Sequence, residues 1–343
     1  MEAVFANLDQ YWAGFKVTLE LLIVGGIGAL LLGIVIALLR ISPLASLRAV
    51  ATGYTELVRN TPLTLVFFLI IVVLPTLDVR FNFMVGAYLS LAIYTSAFVA
   101  EAIRSGINGV PIGQAEAARS VGLTFGQTVG LIILPQAFRM TIPPLINVFI
   151  ALTKNTSVAA GFYVVELVAV SKQLANENGN AVIPILMGIA ACYLIITIPS
   201  ARSPGHRAEG GGPAMSTLNV LYDAPGPRTR RLSRVLSIVL TIALAGLAFW
   251  FLWRLGQPRT TVNGAVLSGL WDPSRWDIFA EGDVWYSLLV RGLLMGTLRA
   301  AGIAAVLALI LGVLLCFARS ARSAWIRVPT TIVLEFFRAC RCC

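Results

Sequence analysis

Residues 101–140 read EAIRSGINGVPIGQAEAARSVGLTFGQTVGLIILPQAFRM, and within them Glu116-Ala117-Ala118, Gly122, Ile132 and Leu134-Pro135 stand at a regular spacing. Three residues separate the triplet from Gly122, nine separate Gly122 from Ile132, and one separates Ile132 from Leu134. Local chemistry predicts two short helices. Pro111 suits a first helical turn and Gly122 the position past a helix end, so Ile112 to Val121 reads as one helix. Thr124 with Gln127 three residues later fits a capping box that opens a second. Leu134-Pro135 is expected to end or kink that second helix, because proline removes a backbone donor and crowds the preceding turn. The pair is expected to lie parallel to a membrane surface around a glycine hinge.

The membrane follows from composition. The chain is 58% hydrophobic and 12% charged, with mean hydropathy +0.85. Soluble domains carry roughly 25% charged residues. Seven apolar runs are candidate spans: about Val17 to Leu39, Leu63 to Leu77, Phe83 to Ile103, Ile142 to Val170, Val182 to Ile198, Val235 to Trp253 and Leu288 to Phe317. The predicted fold class is an all-α polytopic membrane protein, with a five-helix core and about two further transmembrane helices.

The net charge of +10 is read through topology and not through nucleic acid, since no basic patch interleaved with aromatics occurs. Arg40, Arg48 and Arg59 lie between spans one and two, and Arg104, Arg119 and Arg139 between spans three and four. Arg228, Arg230, Arg231 and Arg234 precede span six, and Arg319, Arg322 and Arg327 follow span seven. These connections are therefore expected in the cytoplasm, with the N-terminus and the segment holding Asp272, Asp277, Glu281 and Asp283 outside. The first ten residues carry Glu2 and Asp9 and no basic region, so no cleavable signal peptide is expected. Cys192 and Cys316 stand alone in apolar runs, and His206 is the single histidine, so neither a metal nor a histidine-based catalytic site is expected.

The spacing in residues 116–135 resembles, at every fixed position, the signature loop of the membrane subunits of ATP-binding-cassette importers. More of the chain is similar to their polar amino-acid branch (histidine, glutamate, glutamine). Thr18-Leu19, Gly33, Ala37-Leu38-Leu39-Arg40, Glu56-Leu57-Val58-Arg59-Asn60-Thr61-Pro62, Tyr94, Glu101-Ala102-Ile103-Arg104, Gly113-Gln114, Leu134-Pro135-Gln136-Ala137 and Leu152-Thr153-Lys154-Asn155-Thr156-Ser157 carry that resemblance. It covers Tyr11 to about Pro199 and points first to a glutamate permease.

The resemblance implies that Glu116, Ala117, Ala118, Gly122, Ile132, Leu134 and Pro135 form a cytoplasmic knob, about residues 104–140, that grips an ATPase. Glu116 would supply charge, the alanines a slim helix able to enter a groove, and Gly122 a sharp turn. The implied partners are an ATPase dimer, a second permease subunit, an extracytoplasmic amino-acid-binding protein and the lipid bilayer of a prokaryotic inner membrane. The implied mechanism is alternating access. No Gly-x-x-x-x-Gly-Lys-Ser/Thr sequence occurs, so ATP hydrolysis is expected in a separate subunit and no cofactor in this one.

Lys154, Asn155 and Thr156 are translocation-path candidates, because an ionisable residue in a span is costly unless it serves a purpose; a buried structural pair is the other reading. Glu101 and Arg104 read either as a surface ion pair or as a contact to the ATPase or loop. Glu166 is expected near the external face, in solvent.

Domain organisation reads as a permease over 1–200, a linker over 201–234 and a truncated second permease-like segment over 235–343. ARSPGHRAEGGGPA at 201–214 breaks the apolar pattern, and Met215 resembles a fresh start. At a constant offset of 279, Thr18-Leu19, Gly33, Arg40, Arg48, Glu56 and Arg59 recur as Thr297-Leu298, Gly312, Arg319, Arg327, Glu335 and Arg338. Arg338-Ala339-Cys340-Arg341-Cys342-Cys343 then stands where the family expects Arg-Gly-Met-Pro or Arg-Asn-Thr-Pro. Loss of one base would produce that ending, and a frame-shifted junction would produce the linker. A non-functional fusion product and a non-transporting membrane scaffold of the same fold are the alternatives to a working permease.

Overall fold

The computed structural model describes residues 2–42, 44–76, 79–201, 227–260 and 266–320, with 323, 325, 327–331 and 334 beyond them. Most of the 201–234 linker, His206, Met215 and the three terminal cysteines lie outside the described residues. By contact the chain divides into two units, Met1–Ala243 and Leu244–Arg341.

The first unit is a helical bundle. A turn at Glu2–Phe5 leads into α1 (Leu8–Arg40), followed by α2 (Ala45–Arg59), α3 (Leu63–Thr76), α4 (Phe83–Asn108) and the short α5 (Ile112–Ser120). The long α6 (Thr128–Phe162), then α7 (Leu167–Glu177) and α8 (Val182–Ala201), complete the bundle. Among the described residues, six helices are long and apolar enough to cross a membrane, or seven if α2 and α3 are counted as one broken span. Each of the seven predicted runs overlaps one of these helices.

Three boundaries differ from the sequence reading. Residues 40–62, read as a loop, contain α2, which meets α3 at 105°. Its charges hid it: Arg48, Glu56 and Arg59 alternate with Ser46, Ala51, Thr55 and Val58, which are buried. Span four starts at Thr128 and ends at Phe162, both earlier than expected. Pro135 does not end it, because proline occupies the first turn after a wider i→i+5 stretch (Thr128–Ile133), where a missing donor is tolerated. Pro143 and Pro144 are likewise carried inside the helix.

Helix α1 is the hub. Leu21, Phe67, Leu91, Leu152 and Ala159 bring α1, α3, α4 and α6 into one core. Tyr11, Leu167, Val170, Leu174, Ile185 and Ile189 join α1, α7 and α8 in a second, where the Tyr11 hydroxyl donates to the Ile185 carbonyl at 3.0 Å. Lipid tails are as apolar as leucine, so close backbone approach, not exclusion of water, must hold such helices together. Two glycines supply it. A Cβ on Gly33 would lie 2.5 Å from Val99, and one on Gly106 would lie 1.9 Å from Thr141 Oγ1 and 2.9 Å from the Ala137 carbonyl oxygen. Gly106→Leu should therefore force α4 away from α6 at a cost of about 1–3 kcal/mol, seen as a lower thermal midpoint in detergent. Gly312→Ala, where the added Cβ meets nothing within 4 Å inside a helix, should not lower the midpoint.

Helix α9 (Pro227–Gly256) runs from the first unit into the second. Within the second unit Arg259–Thr260 pairs antiparallel with Val266–Leu267, and α10 (Gly282–Arg319) follows. Between them the indole N–H groups of Trp271, Trp276 and Trp285 donate to the carbonyls of Leu252, Leu270 and Phe279. Gly312, the repeat counterpart of Gly33, has no neighbour at its Cβ position among the described residues.

Candidate functional site

The hairpin at 111–135 is built as its residues dictate. Helix α5 starts at Ile112 directly after Pro111 and ends at Ser120, one residue short of the expected end. Gly122 follows with φ +86°, the left-handed region that glycine enters without a side-chain penalty. The Gly122 amide donates to the Arg119 carbonyl at 2.9 Å and the Leu123 amide to the Ala118 carbonyl at 3.1 Å, the paired bonds of a Schellman ending. Thr124 and Gln127 close the capping box. The Thr124 amide donates to Gln127 Oε1 at 2.9 Å and the Gln127 amide to Thr124 Oγ1 at 3.4 Å.

Val110, Ala115, Ile133 and Ala137 form a small core that clamps α5 onto the start of α6. This core sorts the signature residues by direction. Ala118 is buried against the chain itself, whereas Glu116, Ala117 and Gly122 are exposed, Ile132 is half-buried, and Leu134 and Pro135 face outward. Large apolar side chains of the same segment are also exposed: Val121 is 76% exposed, Leu131 67% and Phe138 67%. Sequence reasoning passed over these three. For Leu131 and Phe138 the signal was their spacing with Leu134, one face of a helix beyond the core.

Lys154 and Asn155 are half-buried at the last turn of the regular α-helix (Leu134–Asn155) of α6. Thr156 is fully buried where the ladder tightens into a 3₁₀ stretch, Thr156–Phe162, and its hydroxyl donates to the Thr153 carbonyl at 2.7 Å. The chain then turns at Tyr163, the non-glycine residue with positive φ (64°) among the described residues.

Glu166, expected in solvent, is instead 0% exposed. It caps α7. Its Oε1 accepts from the amides of Val168 (2.8 Å) and Ala169 (3.0 Å), and its Oε2 accepts from the Tyr193 hydroxyl at 2.9 Å. The Leu167 amide donates to Thr18 Oγ1 at 3.3 Å, so α1 serves the same helix end. Tyr193 also meets the hydroxyls of Thr156 and Thr18. Thr18, Thr156, Glu166 and Tyr193 thus join α1, α6, α7 and α8 in one buried polar knot. An acidic residue just before the apolar run at Leu167 was the available sign of a helix cap.

Burial pushes the Glu166 carboxyl up from its ordinary 4.5 to about 6, against the Tyr193 hydroxyl, the two amides and the Lys172 charge, which pull it down. A raised folded pKa means that the folded state holds the proton more tightly. The associated stability is complete below pH 4.5 and is lost as pH rises through about 6. Thermal midpoints taken across that window should show the wild type losing about 2 kcal/mol relative to Glu166→Gln, which has no proton to lose.

At the other end of the bundle Glu101 on α4 pairs with Arg40 of α1, with Arg104 at 2.6 Å on its own helix, and with Arg59 of α2 at 3.7 Å. Glu101 and Arg104, read as either a surface ion pair or a contact to the ATPase or loop, thus belong to a partly buried hub that ties three helix ends, just before the hairpin begins.

Comparison with known proteins bears on this arrangement. The family model described as "Binding-protein-dependent transport system inner membrane component" matches residues 29–201, which include the hairpin, the Glu101 hub and the polar knot apart from Thr18. The chain belongs to this family. This permease is similar to the glutamate transport system permease protein GluC of Corynebacterium glutamicum, 41% identical over 61% of this chain and 97% of that one. It is also similar to the probable glutamine ABC transporter permease protein GlnM of Bacillus subtilis, 39% identical over 57% of this chain and 90% of that one. A solved amino acid ABC transporter structure with histidines matches with a TM-score of 0.56 and 30% identity, over 60% of this chain and 96% of that one. The permease is a membrane subunit and not an enzyme; ATP hydrolysis belongs to a separate subunit.

Proposed function

We propose that this chain is the translocating subunit of an importer for polar or acidic amino acids, with glutamate as the first substrate. The similarity to a glutamate permease over nearly the whole of that protein carries this reading. The exposed hairpin supports it mechanically. A capped, clamped helix with Glu116 and Ala117 outward, followed by exposed Leu131, Leu134 and Phe138 on α6, offers a rigid surface to an ATPase. The hairpin end then lies in the cytoplasm, and the N-terminus and the Glu166 knot lie toward the outside, where a binding protein delivers the amino acid. A second permease subunit completes the path.

Lys154, Asn155 and Thr156 line or gate that path at the break from α-helix to 3₁₀-helix. Closure of the ATPase dimer moves the hairpins, and the bundle passes between outward and inward states that nucleotide and substrate favour differently. Residues 235–343 carry a second permease-like segment.

The test is uptake of radiolabelled glutamate into proteoliposomes holding this chain, an intact partner permease, the ATPase pair and the binding protein. ATP-dependent glutamate uptake, competed by cold glutamate more strongly than by glutamine, is expected. Preference for glutamine overturns the substrate, and no ATP-driven uptake of any amino acid overturns the permease reading itself.

A further inference from the structure

Beside the Glu101 hub, α1, α2 and α4 line an open cavity of about 520 Å³ at the hairpin end of the bundle. Its charged lining is Arg40, Arg48 and Arg104 against the single carboxylate of Glu56, with Thr52 and Gly53 between them. A volume of this size lies in the range of small-molecule sites, about 300–1,000 Å³.

The donors outnumber their acceptors. Each guanidinium carries five N–H donors, whereas a carboxylate offers about four acceptor positions. Glu101 is shared among Arg40, Arg59 and Arg104, and Arg104 Nε is buried with no hydrogen-bond partner. Arg48 spends one donor on the Ser42 carbonyl at 2.8 Å. Gly53 keeps the cavity open, because a Cβ there would meet nothing within 4 Å. Three of the four charges, Arg40, Arg48 and Glu56, recur at the 279-residue offset as Arg319, Arg327 and Glu335, which ties them to one another in the sequence.

We propose that this cavity binds a phosphate group, carried by an anionic phospholipid headgroup or free as inorganic phosphate. Arginine forks match phosphate oxygens two at a time, and basic pockets between transmembrane helices are suited to anionic headgroups. The bound group completes the donor set around Glu101 and pins the ends of α1, α2 and α4 next to the hairpin.

The experiment is native mass spectrometry of the delipidated full chain, titrated in separate arms with phosphatidylglycerol, phosphatidylcholine and inorganic phosphate. Retention of phosphatidylglycerol over phosphatidylcholine, undisturbed by phosphate, assigns the site to lipid. Phosphate binding that displaces phosphatidylglycerol assigns it to the free ion. In either case Arg48→Ala should weaken binding about fivefold and Glu56→Gln should strengthen it about as much, from about 1 kcal/mol per surface charge. Gly53→Leu should fill the cavity and abolish binding while the chain keeps its helical spectrum. The opposite signs of the Arg48 and Glu56 variants separate a site from general damage. Equal retention of both lipids with no phosphate bound, or affinities unmoved by all three variants, overturns the proposal.

Discussion

Glu116→Arg is expected to abolish ATP-driven uptake while the chain still inserts and folds. The side chain is exposed on α5, and the contacts that hold the hairpin together come from Val110, Ala115, Ile133 and Ala137 on the opposite side. Reversing its charge therefore leaves the helix, its Schellman ending and its capping box untouched. What changes is the surface offered to the ATPase. A like charge placed against a partner's cation in an interface costs about 2–5 kcal/mol, enough to empty the complex at ordinary concentrations. Co-purification of the ATPase and uptake should fall together, and thermal stability of the isolated chain should not move. Full uptake with bound ATPase in this variant would remove Glu116 from the docking surface.

Glu101→Ala should be the most damaging single change in the bundle itself. Glu101 is the shared acceptor of Arg40 and Arg104, with Arg59 close by, and the Arg40 side chain is only 10% exposed. Removing the carboxylate leaves guanidinium groups crowded and uncompensated, a loss of about 3–5 kcal/mol for a buried network. Solvent access to Glu101 and Arg104 places the expected loss toward the lower figure. The readout is a thermal midpoint in detergent beside that of Glu101→Asp, which keeps the charge and should recover part of the stability. If the alanine variant melts with the wild type, the hub is a surface ion pair of little weight.

Much of the first unit was legible because the deciding signals are local. Long apolar runs can only be helices in a bilayer, since each backbone group must find its partner within the segment. Pro111, Gly122, Thr124 and Gln127 act on their own immediate backbone, and the hairpin follows them to within a residue. Helix α2 was missed for the reverse reason. Its charges read as a loop until a neighbouring bundle supplied a surface for Ala51, Thr55 and Val58. Pro135 was read as ending or kinking the helix because the widened turn before it leaves no trace in composition.

The sequence by itself determined a polytopic helical membrane protein, the spacing of the hairpin, its glycine turn and its cap, since each depends on residues no more than a few positions apart. Only the tertiary structure decided which way those residues point. Ala115 turned inward into the Val110–Ala137 core and Ala118 is buried, while Glu116 stayed out, because α5 has one side to clamp and one side to offer. Glu166 passed from solvent to a buried knot with Thr18 and Tyr193, and Glu101 from a pair to a hub of three arginines. Burial and shared hydrogen bonds belong to helices far apart in the chain, and their meeting is a property of packing that no single segment records.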